Sequence, residues 1–198
     1  MEAALTDIPT IRFQTTADTI DKFTSLLQAG ILVPARPGVT IGEFLKSLPG
    51  FTEDYITDQI QTIFLNGTAT DNMETPMEGD NPTLAISAAM PGLAGAIFRR
   101  NSLHAALRTV KNRIESHSTT DRIVITLKLF NAIARDRGAQ LLKEGVTMKS
   151  NTLSAFLANR TPLQTHIANI HINGDQVPFA RLTETLSKFE SLHLRFCN

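Results

Sequence analysis

The sequence predicts an α+β fold of two tandem units, each a mixed sheet covered by helix, joined by a helical connector. Three observations support this. A strand, a short helix ending in Gly, a second helix and a strand running into Asn-Gly occur twice, across residues 11–86 and again across 125–196. The landmarks pair Gly30 with Gly138, Phe44-Leu45 with Phe156-Leu157, Asn66-Gly67 with Asn173-Gly174, and Leu84/Ile86 with Leu192/Leu194, at offsets of 108, 112, 107 and 108. The drift falls in loops, as an old duplication leaves it. Composition agrees: 198 residues, 42% apolar and 19% charged, suit one large or two small soluble domains. The expected boundaries are 1–92 for the first unit, 93–120 for the connector and 121–198 for the second unit.

Taken in order, Ile11 to Gln14 alternates Ile11 and Phe13 with Arg12 and Gln14, the pattern of a half-buried strand. Asp18 is placed to cap a helix through Ala29, with Ile20, Phe23, Leu26 and Leu27 at helical spacing and Gly30 as its stop. ILVPARPG reads as an edge strand, because Pro34 and Pro37 cannot donate to a ladder. Thr40-Ile41-Gly42-Glu43 forms a capping box for a second helix ending at Pro49-Gly50, with Ile41, Phe44, Leu45 and Leu48 as its apolar face. A strand bearing Ile63 and Leu65 then enters a tight turn at Asn66-Gly67. A second turn at Glu78-Gly79-Asp80 precedes a closing strand in which Leu84 and Ile86 alternate with Thr83, Ala85 and Ser87.

Each half therefore reads as a ubiquitin-like β-grasp unit, and the segment from Gln61 to Gly95 resembles the C-terminal half of the sulfur-carrier family of the molybdopterin synthase small subunit and the thiamine-biosynthesis carrier (MoaD/ThiS). In that family a strand into Asn-Gly, a short excursion, a Gly-Asp turn and a last strand lead to a tail of small residues. The resemblance spans nearly the whole chain as topology, while the local motif is good in the first repeat only. It implies a C-terminal Gly-Gly whose carboxylate is adenylated and converted to a thiocarboxylate. The matching tail, Met90-Pro91-Gly92-Leu93-Ala94-Gly95, has no Gly-Gly and continues into the second half.

In the connector, Leu103, Leu107, Val110 and Ile114 recur at helical spacing among Arg99, Arg100, Arg108, Lys111 and Arg113, which predicts a basic amphipathic helix packed on a neighbouring domain. The second repeat opens with RIVITLKLF, where Ile123, Ile125, Leu127 and Leu129 alternate with Val124, Thr126 and Lys128, and FNAIARDRG reads as a first helix closed by Gly138. IHINGDQV and ESLHLRF complete it. His171 and His193 are expected side by side on the open sheet face with Lys128 and Arg195.

Charge is unevenly spread along the chain. Residues 1–92 carry 4 Lys/Arg against 12 Asp/Glu and residues 93–198 carry 15 against 7, a balance of −8 and +8. Such halves attract each other, or an acidic face docks on a basic partner. The single cysteine, Cys197, excludes an intrachain disulfide, a Cys-rich zinc site and an iron–sulfur cluster. No Gly-x-Ser-x-Gly elbow, phosphate loop or paired carboxylate is evident, and Asp71, Glu74, Glu78 and Asp80 lack calcium-loop spacing, so no cofactor, metal or catalytic group is expected.

The function expected is a non-catalytic interaction or scaffold protein derived from such carriers. It binds a protein partner through Phe64, Pro91, Gly92, Leu93, Gly95, Arg99 and Arg100. The resemblance implies an adenylating, molybdopterin-pathway or thiamine-pathway enzyme as that partner. One alternative is a carrier precursor cleaved after Gly92 or Gly95, and another is a small-ligand or metal-binding protein. Nucleic acid and membrane are not expected partners, homo-oligomerisation is left open, and the N-terminal MEAALTDIPT, with no charged leader before an apolar stretch, leads to a cytoplasmic expectation.

Overall fold

The computed structural model describes residues 8–108 and 121–197 of a mixed α+β chain. The chain divides into two compact units, a terminal unit of residues 1–31 with 138–198 and a central unit of residues 32–137.

In the terminal unit, β1 (Thr10–Gln14) runs parallel to β10 (Ser191–Cys197) and antiparallel to β8 (Asn169–Ile172). With β7 (Val146–Lys149) and β9 (Asp175–Gln176) the strand order is β7-β10-β1-β8-β9. The alternation read from the sequence is realised, because Ile11 and Phe13 are fully buried while Arg12 and Gln14 are exposed. Phe13 meets Phe196 edge-on at 5.5 Å, and Phe23 lies 4.9 Å from Phe196 and 5.9 Å from Phe156. This aromatic cluster is the centre of the unit's core, and such pairs each contribute about 0.5–1.5 kcal/mol beyond their buried area.

The helix expected from Asp18 to Ala29 is instead a turn of α-helix, α1 (Ala17–Ile20), running into a 3-10 helix over Asp21–Gln28. Thr16, not Asp18, holds the N-cap position, and Gly30 ends the helix at φ 115°. The glycine paired with it in the sequence behaves differently. Helix α5 (Asn131–Glu144) runs straight through Gly138 and stops at Gly145, whose φ of 108° makes it the conformational counterpart of Gly30. Gly138 has another role: a Cβ there would lie 2.8 Å from Thr24 Cγ2 and 3.1 Å from Leu27 Cδ1, so the absent side chain allows close packing of helix on helix.

In the central unit, β2 (Ile31–Ala35), β3 (Thr62–Leu65), β4 (Thr68–Ala69), β5 (Thr83–Ser87) and β6 (Ile123–Phe130) follow the order β4-β3-β5-β6-β2; β2 is not the edge strand expected from Pro34 and Pro37. β5 and β6 are parallel, and β3 is antiparallel to both β5 and β4. The capping box forms as read: Thr40 Oγ1 accepts from Glu43 N and Glu43 accepts from Thr40 N at the start of α2 (Ile41–Lys46). A further helix, α3 (Glu53–Gln59), was not anticipated, although Thr52 caps it by accepting from Tyr55 N. Asn66 at φ 51° and Gly67 at φ 75° make the tight β3–β4 turn, matched by Asn173 and Gly174 at φ 53° and 102° between β8 and β9. Ile63, Leu84, Ile86, Ile125, Leu127 and Leu129 are buried on one face.

Both units thus place one parallel pair of strands beside an antiparallel Asn-Gly hairpin. In each, the parallel pair joins strands from opposite halves of the sequence: β1 with β10, and β5 with β6. A partition at residues 92 and 121 groups β1 with the first repeat and β6 with the second, whereas β1 pairs in the terminal unit and β6 in the central one. Charge follows the units. The terminal unit holds eight Lys/Arg and eight Asp/Glu, the central unit eleven of each, so the −8 and +8 of the two sequence halves are balanced inside each unit.

The connector departs from the continuous helix expected. Its described part is α4 (Gly92–Phe98) followed by a 3-10 turn at Ala105–Leu107; Val110, Lys111, Arg113 and Ile114 lie outside the described residues. Among the described residues no helix is long and apolar enough to cross a membrane. The remaining helices, α6 (Ser150–Ala158), α7 (Thr161–Gln164) and α8 (Phe179–Leu186), belong to the terminal unit.

Candidate functional site

The ladders of the central unit fix which side chains share a face. Phe64 of β3 lies opposite Ala85 of β5, and Ala85 opposite Lys128 of β6. Side chains alternate along a strand, so this row stands on the face opposite Ile63, Ile86, Leu127 and Leu129. A methyl group between two long side chains leaves a hollow, and Phe130 and Met90 extend its walls. The result is a cavity of about 520 Å³ lined mainly by apolar atoms. Asn131 closes one end, its Nδ2 donating to Ser87 Oγ at 2.8 Å. A φ of 53° at Asn131 turns β6 directly into α5.

Among the described residues, Lys128 is the one cation lining this cavity, and no carboxylate lines it. Arg36–Glu43, Lys46–Glu53 and Arg108–Asp71 form ion pairs among the described residues, and none of these uses Lys128. Lys128, part-buried as a residue, therefore lines an apolar hollow with no carboxylate among its described lining residues.

The flanking segment 90–108 contains most of the partner-binding residues expected from the sequence, and the structure gives them different roles. Pro91 and Gly92 are exposed, and Gly92, at φ 72°, opens α4. Gly95 is buried, and a Cβ there would fall on the backbone carbonyl of Met90. Phe98 packs its ring 5.2 Å from Phe64, which fastens the segment to the groove wall. Arg99 Nε donates to Gln61 Oε1 at 3.0 Å. Arg100 Nη1 donates to the carbonyls of Ile60 at 3.0 Å and Ile56 at 3.3 Å, and its backbone N–H to Gln61 O at 2.7 Å. These two arginines anchor the segment rather than standing free to receive an outside anion.

Arg108 completes the anchoring, bridging Asp71 at 2.8 Å and donating to the carbonyls of Ile97 and Arg99. Asp71, read from the sequence as part of a solvated acidic turn, also accepts from Asn101 N. With the polar groups turned inward, apolar ones remain outside. Leu93, Leu103 and Leu107 are 72%, 99% and 66% exposed, the large hydrophobic residues exposed among the described residues. The stripe expected to pack on a neighbouring domain instead presents Leu103 and Leu107 to solvent.

The histidine pair does not form. β1 lies between β10 and β8, so Arg12 stands opposite His171 and Thr10 opposite His193. Within the terminal unit His193 Nδ1 lies 3.2 Å from Thr147 Oγ1; burial, then the Arg195 charge, lower its pKa below 6.5. Tyr55, in the central unit, lies under the Arg137 guanidinium at 3.8 Å, and burial, then the Asp136 charge, raise its pKa above 10.0. No group of three His, Cys, Asp or Glu side chains suited to a metal ion occurs among the described residues.

Comparison with protein-family models, curated proteins and solved structures returns no match. The groove and its flanking segment are therefore read from their own chemistry. The sequence reading names Phe64 as a partner-binding residue and does not single out Ala85, Met90 or Phe130, because the hollow exists only once two ladders set the row Phe64–Ala85–Lys128.

Proposed function

We propose that the protein is a non-catalytic interaction module, descended from sulfur carriers of the MoaD/ThiS type, that docks a partner protein on the segment from Pro91 to Arg108. The observation that carries this reading is the exposure of Leu93, Leu103 and Leu107 on a segment whose polar groups are bonded back to the central unit. Fully burying one leucine contributes about 1.5–3 kcal/mol, so the three exposed on this segment offer an apolar contribution that a docking partner can use. The shared arrangement of a parallel pair beside an Asn-Gly hairpin in both units supports a β-grasp-like reading of each unit, although the units are interleaved in sequence rather than arranged in tandem.

The alternative, a carrier precursor cleaved after Gly92 or Gly95, requires an extended tail that threads an enzyme site. Residues 92–98 are helical, and Gly95 is buried against Met90, so this route needs α4 to unfold first. The interaction reading is therefore preferred.

The test is site-specific photo-crosslinking in the protein's own cells, with the photoreactive residue at Leu103. A discrete adduct with one protein, lost when Leu93 and Leu107 are both replaced by Glu, is expected. An adduct pattern indifferent to those substitutions overturns the reading. Recovery of a fragment ending at Gly92 or Gly95, with sulfur replacing one carboxylate oxygen, establishes the carrier instead.

A further inference from the structure

We propose that the groove on the open face of β3, β5 and β6 is a binding site for a small amphipathic carboxylate. The apolar body lies over Ala85 between Phe64 and Phe130, and the carboxylate meets the Lys128 amine. This proposal goes beyond the docking segment and does not depend on it.

The first argument is size and lining. A cavity of about 520 Å³ falls within the range of about 300–1,000 Å³ usual for small-ligand sites, which are apolar with a few placed polar groups. The second is charge. Lys128 lines the cavity, and among the described residues no carboxylate lines it and none of the ion pairs named above engages this amine, which leaves its charge available to an anion that enters. A ligand that brings one anion and otherwise apolar surface satisfies both features together. A neutral apolar molecule leaves the amine unmet, and a cation is repelled by it.

The third argument concerns what the groove withholds. Its floor strand, β5, is paired on both sides, with β3 and with β6. An extended peptide laid there would find no main-chain ladder, and its own N–H and C=O groups would be buried without partners. A ligand with a single polar pole has no such cost. Ser87 adds a supporting donor: its Oγ accepts from Asn131, which leaves the hydroxyl hydrogen free to turn toward a carboxylate oxygen.

The experiment is isothermal titration calorimetry on the delipidated full-length chain with decanoate, decan-1-ol and decylammonium as probes. Decanoate is expected to bind one site at least about tenfold more tightly than decan-1-ol, the size of effect a charge-assisted contact gives, and decylammonium is expected not to bind. Lys128→Met, which keeps the apolar stem, is expected to bring decanoate down to the level of decan-1-ol. Ala85→Leu, which fills the hollow on the open face, is expected to remove both. Circular dichroism and thermal midpoints of the two variants check that each is folded. Equal affinity for decanoate and decan-1-ol, an unchanged decanoate affinity in folded Lys128→Met, or no saturable binding of decanoate overturns the proposal.

Discussion

Gly95→Ala tests whether the segment matching a carrier tail is a folded part of the central unit. The added Cβ falls on the Met90 carbonyl and 2.5 Å from its carbonyl carbon. Both are backbone atoms, so no side-chain rotation relieves the overlap, and α4 must leave its seat. The contacts then at stake are the Phe64–Phe98 ring pair, about 1 kcal/mol, and the two carbonyl bonds of Arg100, about 1.5 kcal/mol each. Their loss weakens the docking of the segment by at least about a hundredfold. Amide hydrogen exchange reads this directly, at Arg99 N–H, bonded to Gly95 O, and at Arg100 N–H, bonded to Gln61 O. Protection at both is expected to fall in Gly95→Ala while the amides of β5 and β6 keep theirs. Unchanged protection at Arg99 and Arg100 would refute the argument from close approach. A mobile carrier tail, by contrast, is unprotected before any substitution is made.

Two further outcomes follow from the terminal unit. Gly138→Ala gains about 1 kcal/mol of helix propensity but drives a Cβ into Thr24, which is buried and held by its own Oγ1 bond to Asp21 O at 2.8 Å. Overpacking costs about 1–3 kcal/mol, so a net loss of about 1 kcal/mol is expected in urea titration, and a stabilised variant would show that Thr24 yields. His193 has a folded pKa lowered from 6.5, so the unfolded chain binds the proton more readily. Its contribution is intact above that value and is lost as pH falls below 6.5 toward the folded pKa; the acid-side decline in urea midpoint should be smaller in His193→Gln.

The parts of the fold legible in the sequence are those determined within a few residues. The Thr40–Glu43 capping box, the stop at Gly30 and the Asn-Gly turns each depend on local backbone chemistry, and each is found where read. Gly138 shows the limit of that approach. As a letter it matched Gly30, but the helix continues another six residues to Glu144, and the reason for the glycine lies in Thr24 and Leu27, distant in sequence. Strand pairing shows the same limit. Alternation identified β1 and β10 as half-buried strands, yet nothing local says that β1 separates β10 from β8, and that separation removes the expected histidine pair. Phe64 could be singled out as an aromatic on an outward strand position, while the hollow beside it required the register of β5 and β6.

Charge leads to the last step. Along the sequence the halves carry −8 and +8, which suggests recognition by opposed fields, but folding sorts the same residues into two units each balanced to zero. A unit without net charge projects little long-range attraction, so a partner is not gathered by steering and its association rate responds weakly to salt. The arginines of the flanking segment reinforce this, since Arg99, Arg100 and Arg108 give their donors to Gln61, to backbone carbonyls and to Asp71. In the reading proposed above, what remains for recognition is the three exposed leucines of the anchored segment and, beside Phe64, a hollow in which Lys128 is the one cation among the described lining residues. Affinity at the first surface should persist at high salt, whereas binding in the groove should weaken as Lys128 is screened, which separates the two sites by ionic strength alone.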